Sequence, residues 1–271
     1  MSASGILRKG WCPSAHRPMK TGDGWLVRLH TGGGDLMAAQ ARAIAVLSAE
    51  YGNGHLDLTS RGNLQIRGVA LERYETLFKK LAVLGLAEEQ RPPRVAPSSP
   101  PPLGFANGTI GLGLPYGRIE APMLAWLADM AEQFSNGTIA LSRRRAVFLS
   151  GISSAENILR QAAARGFIIR SDDPRRAIEC CPGAPACSSA KGETRALAEV
   201  VAGHFPDLAA SGHVVHISGC TKGCAYSRNA DVIIVAVAGA YHLACDARAD
   251  APPTGIVSGQ SAIIEALRER L

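Results

Sequence analysis

Aromatic side chains make up only 5% of this 271-residue chain, and nowhere do five basic residues follow one another. The chain therefore lacks the interleaved aromatic and basic surface of a nucleic-acid binder, and no nucleic-acid partner is expected. The longest apolar run, Val232 to Ala244, falls well short of the roughly 20 residues needed to span a bilayer, and it reads as buried strand. Polar residues ("GWCPSAHRP") follow Arg8 and Lys9, where a secretory signal would place its apolar core. A cytoplasmic protein without membrane association is expected, and there the seven cysteines should be thiols rather than disulfides. The C-x-x-C spacing used in thiol–disulfide exchange is missing. "TGGGD" (Thr31 to Asp35) lacks the lysine and hydroxyl of a phosphate loop and reads as a strand-to-helix turn. "GLGLPYG" from Gly111 lacks the glycine spacing of a dinucleotide site. Without a nucleotide site, electrons for any redox chemistry are expected from a separate donor.

What is present describes a globular chain: 46% hydrophobic residues, 19% charged residues and a formal net charge of +6. The basic balance favours an acidic partner, such as a polycarboxylate.

The strongest architectural signal is an internal repeat. "YGNGHLDLTSRGNLQIRGV" (Tyr51 to Val69) aligns without a gap on "FSNGTIALSRRRAVFLSGI" (Phe134 to Ile152), with Asn53 opposite Asn136 at an offset of 83 positions. Each copy follows an apolar stretch and a helical pattern, and each is followed by another helix. Switching of the hydrophobic period between 2 and 3.6 predicts β-α-β-β-α twice. Within the first hairpin Leu56, Leu58, Leu64 and Ile66 share a face that should pack on helices. The other face carries Gln65 and Arg67, with Arg61 at the tip, and Arg144 takes the corresponding place in the second copy. Paired copies would make a cationic floor on which Arg61, Arg67 and Arg144 bind carboxylates. Between the copies, Glu88 to Gly104 is proline-rich and reads as a linker.

After about Asp172 the composition changes, and six of the seven cysteines follow. Cys181 and Cys187 form C-x5-C, and Cys220 and Cys224 form C-x3-C. Between the pairs, one helical and one strand-like segment can return the second pair to the first. Structural zinc prefers shorter spacings, so a five-residue gap fits it poorly. Iron–sulfur clusters take four thiolates from loops rich in glycine and proline. Pro182, Gly183, Pro185, Gly219 and Gly223 meet that need. Cys12, Cys180 and Cys245 read as ordinary thiols, with Cys180 an alternative to Cys181 as ligand.

These cysteine spacings, joined to two ferredoxin-like halves, resemble the nitrite/sulfite reductase superfamily. The resemblance implies an α+β fold: two ferredoxin-like half-domains packed together, plus a C-terminal α/β iron–sulfur-binding domain. It divides the chain into a first half-domain with an N-terminal extension (1–87), the linker (88–104), a second half-domain (105–172) and the cluster domain (173–271). It implies a [4Fe–4S] cluster on Cys181, Cys187, Cys220 and Cys224. "LTSRGNLQIRGV" is similar to the segment in which these reductases place an anion-binding arginine, here Arg61. Within the superfamily, "RKGWCPSAHRPMKTGDGWLVRL" and the Thr221-Lys222 pair in the last cysteine loop are similar to the precorrin-3B synthase family.

That family hydroxylates precorrin-3A at C20, with lactone formation, in aerobic cobalamin biosynthesis. The resemblance thus implies an oxidoreductase of the monooxygenase type, a tetrapyrrole substrate and an external donor (a ferredoxin or an NAD(P)H-dependent reductase). It also implies a second iron, non-haem or in sirohaem. Lys222, Gln65 and Asn63 are candidates for tuning the cluster or touching substrate. The seven histidines form no recognisable facial triad, and the second iron has no assigned ligands. The chain departs from longer members of the superfamily, which carry an α/β lobe after each half-domain; here the linker stands in the first position. A sirohaem-dependent nitrite or sulfite reductase and a non-catalytic tetrapyrrole-binding subunit remain alternatives.

Overall fold

The computed structural model describes residues 13–31, 34–87 and 101–271. Cys12, most of the N-terminal extension, Gly32 and Gly33 of "TGGGD" and linker residues 88–100 lie outside the described residues. The chain divides into two compact units, Pro13–Arg176 and Ala177–Leu271.

The first unit contains the repeat. Its first copy runs β1 (Met19–Thr21), β2 (Gly24–Leu29), β3 (Asp35–Met37), α1 (Ala38–Tyr51), β4 (His55–Leu58), β5 (Leu64–Val69) and α2 (Leu71–Val83). Its second runs β6 (Gly104–Ala106), β7 (Thr109–Gly113), β8 (Arg118–Glu120), α3 (Ala121–Phe134), β9 (Thr138–Ser142), β10 (Ala146–Ser150) and α4 (Glu156–Ala164). Helices α1 and α3 begin and end at the same repeat positions.

The two sheets have strand orders β1-β2-β5-β4-β8 and β3-β9-β10-β7-β6. Each short strand before a long helix is therefore exchanged: β3 completes the second copy's sheet and β8 the first copy's. The helix starts cross over as well, since the Ala38 amide donates to Gly137 O (2.9 Å) and the equivalent Ala121 amide to Gly54 O (2.8 Å). The sequence pattern predicted one strand ahead of each helix. The structure has more, because three-residue strands are too short to display a period, and the partners of β3 and β8 lie in the other copy.

Alternation fixes what the first sheet buries. Val27, Ile66, Leu56 and Ile119 stand in register across β2, β5, β4 and β8, and none is more than 1% exposed. Helices α1 and α3 pack on each other, burying Ala41, Ile44, Leu127 and Ala128. Truncating one of the large residues to alanine would cost about 2–5 kcal/mol.

The second unit is one mixed sheet with two helices: β11 (Ile178–Cys180), α5 (Thr194–His204), β12 (Val215–Ser218), β13 (Ala230–Val237), β14 (Ala240–Ala247), β15 (Gly255–Val257) and α6 (Gln260–Arg268). Strands β11, β12 and β13 are parallel neighbours, and β14 and β15 add antiparallel. Parallel neighbours need a crossover, which α5 provides between β11 and β12. The long apolar run turns out to be a hairpin, β13 and most of β14, reversing at Gly239 with φ +78°. No helix among the described residues is long and apolar enough to cross a membrane.

Candidate functional site

Two places in the fold gather the predicted site residues, one in each unit. In the second unit, adjacent parallel strands deliver the two cysteine loops to one end of the sheet. Cys180 pairs in register with Ile217. Cys181 directly follows β11, and Cys220 lies two residues past β12. Open α/β sheets place ligands at this carboxyl end of their strands.

Three bonds tie the loops together. The Gly219 amide donates to Cys181 Sγ at 3.2 Å, the Lys191 amide donates to Gly219 O at 2.8 Å, and Lys222 Nζ donates to Ser189 Oγ at 3.0 Å. Glycine is required at 219, where a Cβ would come within 2.6 Å of Ala190 Cβ and 3.4 Å of Cys181 Sγ. Gly183 adopts φ +70°, and a Cβ there would sit 2.6 Å from Thr194 Oγ1, the buried hydroxyl that donates to Cys181 O at 2.5 Å. The first loop thus lies directly against the start of α5. Behind the second loop, fully buried His216 meets Tyr226 edge-on at 5.9 Å.

Cys181 is buried, Cys187 and Cys220 are half-buried, and Cys224 is exposed. Cys180 is buried within β11. Cys245 pairs with Val232, whose other neighbour Val215 begins β12, so it lies at the opposite end of the sheet from the loops. Among the described residues, no three His, Cys, Asp or Glu side chains are already drawn together at metal-binding separation. The surroundings nevertheless suit a thiolate-held cluster: four thiols on two joined loops, a backbone N–H on one sulfur, and a glycine wall.

The second place is the outer face of the first sheet. Arg28, Gln65, Asp57 and Arg118 stand in register across β2, β5, β4 and β8. With its amide turned to satisfy both partners, Gln65 accepts from Arg28 Nε (3.0 Å) and Nη2 (2.7 Å). Arg118 Nε donates to Asp57 Oδ1 at 3.0 Å. One step along β5, Arg67 is 2% exposed and closes a two-pronged pair on Asp23, at 2.9 and 2.8 Å, with a longer contact to Asp57 at 3.4 Å.

Arg67, expected among the substrate carboxylate binders, lies buried with its fork on the protein's own carboxylates, Asp23 and Asp57. Asp23 feels burial, which pushes its pKa up, but Arg67's hydrogen bonds and charge outweigh it and hold the carboxyl below its usual range. Asp23 and Arg118 are the participants that the hairpin pattern could not reveal, since they arrive from a turn and from the exchanged strand.

Arg61 and Arg144 are both exposed, at equivalent turns of equivalent construction. Thr59 Oγ1 accepts from the amides of Arg61 (3.3 Å) and Asn63 (3.1 Å), and Ser142 Oγ accepts from the Arg144 amide (3.1 Å). Asn63 itself is buried at the base of its turn.

Residues 17–84 and 106–163 match the nitrite/sulfite reductase ferredoxin-like half domain, once for each copy of the repeat. A precorrin-3B synthase from Sinorhizobium sp. is 24% identical, covering 92% of this chain and 85% of its own. That alignment spans 390 positions against 271 residues here, so the relative carries segments with no counterpart in this chain. The ferredoxin–nitrite reductase of Leptolyngbya laminosa is 33% identical over 84 residues, 31% of this chain and 16% of the reductase. The structure of the Mycobacterium tuberculosis NirA protein superposes with a TM-score of 0.69 at 13% identity, covering 90% of this chain and 80% of that one. The half-domain match and this superposition agree on an α+β fold containing ferredoxin-like half domains.

Proposed function

We propose that this protein is an oxidoreductase of the precorrin-3B synthase type. It would hydroxylate precorrin-3A at C20 using dioxygen and two externally supplied electrons. One oxygen atom enters the substrate and the other leaves as water after taking up two protons; a ring-A acetate then closes the lactone. The observation that carries the reading is the likeness to a precorrin-3B synthase along 92% of the chain.

A [4Fe–4S] cluster held by Cys181, Cys187, Cys220 and Cys224 would supply one-electron relay when bound. The residues around it have definable tasks. Gly219 presents its N–H to the Cys181 sulfur, which stabilises negative charge there. Thr194 holds the Cys181 carbonyl and so fixes where the loop leaves β11. Arg61 and Arg144, exposed on turns braced by hydroxyls, would bind carboxylates of the substrate. Arg67 and Asp57 would keep the first sheet's outer face rigid. No residue is assigned to a second iron or to sirohaem.

Anaerobic purification, then incubation with precorrin-3A, a reductant and labelled dioxygen, tests the reading. Mass spectrometry should find one labelled oxygen in the product, and its absence would reject the oxygenase assignment. Cys224→Ser should abolish the cluster absorption, whereas Cys245→Ser, altered at the far end of the sheet, should retain it. The half-domain match to nitrite and sulfite reductases keeps a second reading open. In that case the purified protein would carry the intense absorption of a bound tetrapyrrole.

A further inference from the structure

Lys222 lies between two proposed ligand cysteines, yet its side chain does not reach out into solvent. It is half-buried and crosses to the other loop, where Nζ donates to Ser189 Oγ at 3.0 Å, two residues past Cys187. A lysine gives up rotamer freedom to be held this way. Its partner is a neutral hydroxyl, and among the described residues no carboxylate pairs with it. The arrangement fixes the position of a full positive charge without neutralising it.

An anionic centre held by four thiolates becomes more negative by one charge when reduced. A cation fixed beside it interacts more favourably with the reduced form, and the effect is strong where water is partly excluded. We propose that Lys222, held by Ser189, is a positioning residue whose charge raises the reduction potential of the cluster bound between these loops. This rests on the cluster assignment made above. Ser189 is the part of the device that its sequence position gives no reason to single out. Only the folded loops show that it anchors the cation.

The test is potentiometry on the reconstituted 271-residue chain, with iron and sulfide content measured in parallel. Lys222→Met should leave the content unchanged and move the midpoint potential downward. Ser189→Ala should move it in the same direction by less, because the charge remains but is no longer held. Lys222→Arg should stay near the parent. An unshifted potential in Lys222→Met with full cluster content would overturn the proposal, as would an arginine variant that behaves like the methionine one. Should Lys222→Met lose its cluster, Ser189→Ala decides, since it keeps the lysine and every backbone bond between the loops. No shift there rejects the tuning role. A parent protein that takes up no cluster at all would instead sink the cluster assignment itself, before any variant is compared.

Discussion

The two half domains share a backbone but differ on one face. On the inner face, Val27, Leu56, Ile66 and Ile119 of the first sheet have as repeat counterparts Ile110, Ile139, Leu149 and Leu36 of the second. All eight are no more than 1% exposed. On the outer face, Arg28, Asp57, Gln65 and Arg118 are answered by Gly111, Ala140, Phe148 and Asp35. Arg67 is answered by Ser150. The inner row drives folding and has stayed apolar in both copies, because each member excludes water from a common core. The outer face is not needed for that, so one copy can hold a buried charge network while the other holds glycine, alanine, phenylalanine and the exposed Asp35.

The largest effect should come from separating the copies. A fragment of residues 13–87 lacks β8, the exchanged strand that completes its sheet. It should not form a stable monomer. Since β3 occupies the repeat position of β8, any folded product should be a twofold dimer in which each chain lends β3 to the other's sheet. Sedimentation of the fragment distinguishes these outcomes. A folded monomer would show that the exchange is dispensable and the halves independent.

Next is the charge network. Arg67→Ala leaves Asp23 and the buried Asp57 facing one another without their shared cation, which should cost about 3–5 kcal/mol. Ser150→Ala, at the equivalent position of the plain face, should stay within about 0.5 kcal/mol of the parent. Denaturant unfolding of both variants measures the contrast directly. Equal losses would mean that the two faces are energetically alike after all.

Much of this contrast could be read from the chain before folding. Tyr51–Val69 laid over Phe134–Ile152 predicts both hairpins, the inner leucines and the arginine at each turn. The two cysteine spacings predict paired loops, and the strands do bring Cys181 against Gly219. What could not be read depends on long-range partners. The exchange of β3 and β8 is invisible because three residues carry no period. The burial of Arg67 is invisible because alternation assigns a face without saying what lies on it, and Asp23 comes from a hairpin turn outside the repeated segment. The Lys222–Ser189 bond joins two loops 33 residues apart and has no sequence signature.

A smaller effect follows from Asp23. Its carboxyl is held below the ordinary range, so the folded state binds its proton less readily than the unfolded state does. The stabilisation is fully present above the unfolded pKa, near 3.8, and is lost as pH falls through the lower folded value. Asp23→Asn should therefore flatten the acid limb of the stability curve below about pH 4. Ala106→Asn, beside the corresponding hairpin turn of the second copy, should leave that limb unchanged. Parallel acid limbs for the parent and Asp23→Asn would show that the Arg67 pair contributes nothing through this proton.

The smallest effect concerns the helices. In the second copy, Trp126 packs on Phe167 with ring centres 5.6 Å apart, lies under Arg165 at 4.9 Å and donates to Gln161 at 3.2 Å. Its repeat counterpart in α1 is Ala43, and an open groove lies there instead, lined also by Ala39, Leu47, Lys80, Val83 and Leu84. Ala43→Trp should bury an aromatic ring in that groove. Burial of aromatic surface favours the change. Lost side-chain freedom and the lower helix propensity of tryptophan offset much of it, leaving a net gain of about 1 kcal/mol. Ala49→Trp, on an exposed position of the same helix, carries the same propensity cost without the groove and should be neutral or slightly destabilising. Thermal unfolding of the two variants separates them. Equal melting temperatures would mean that the groove left by Ala43 does not accept the ring that its counterpart holds.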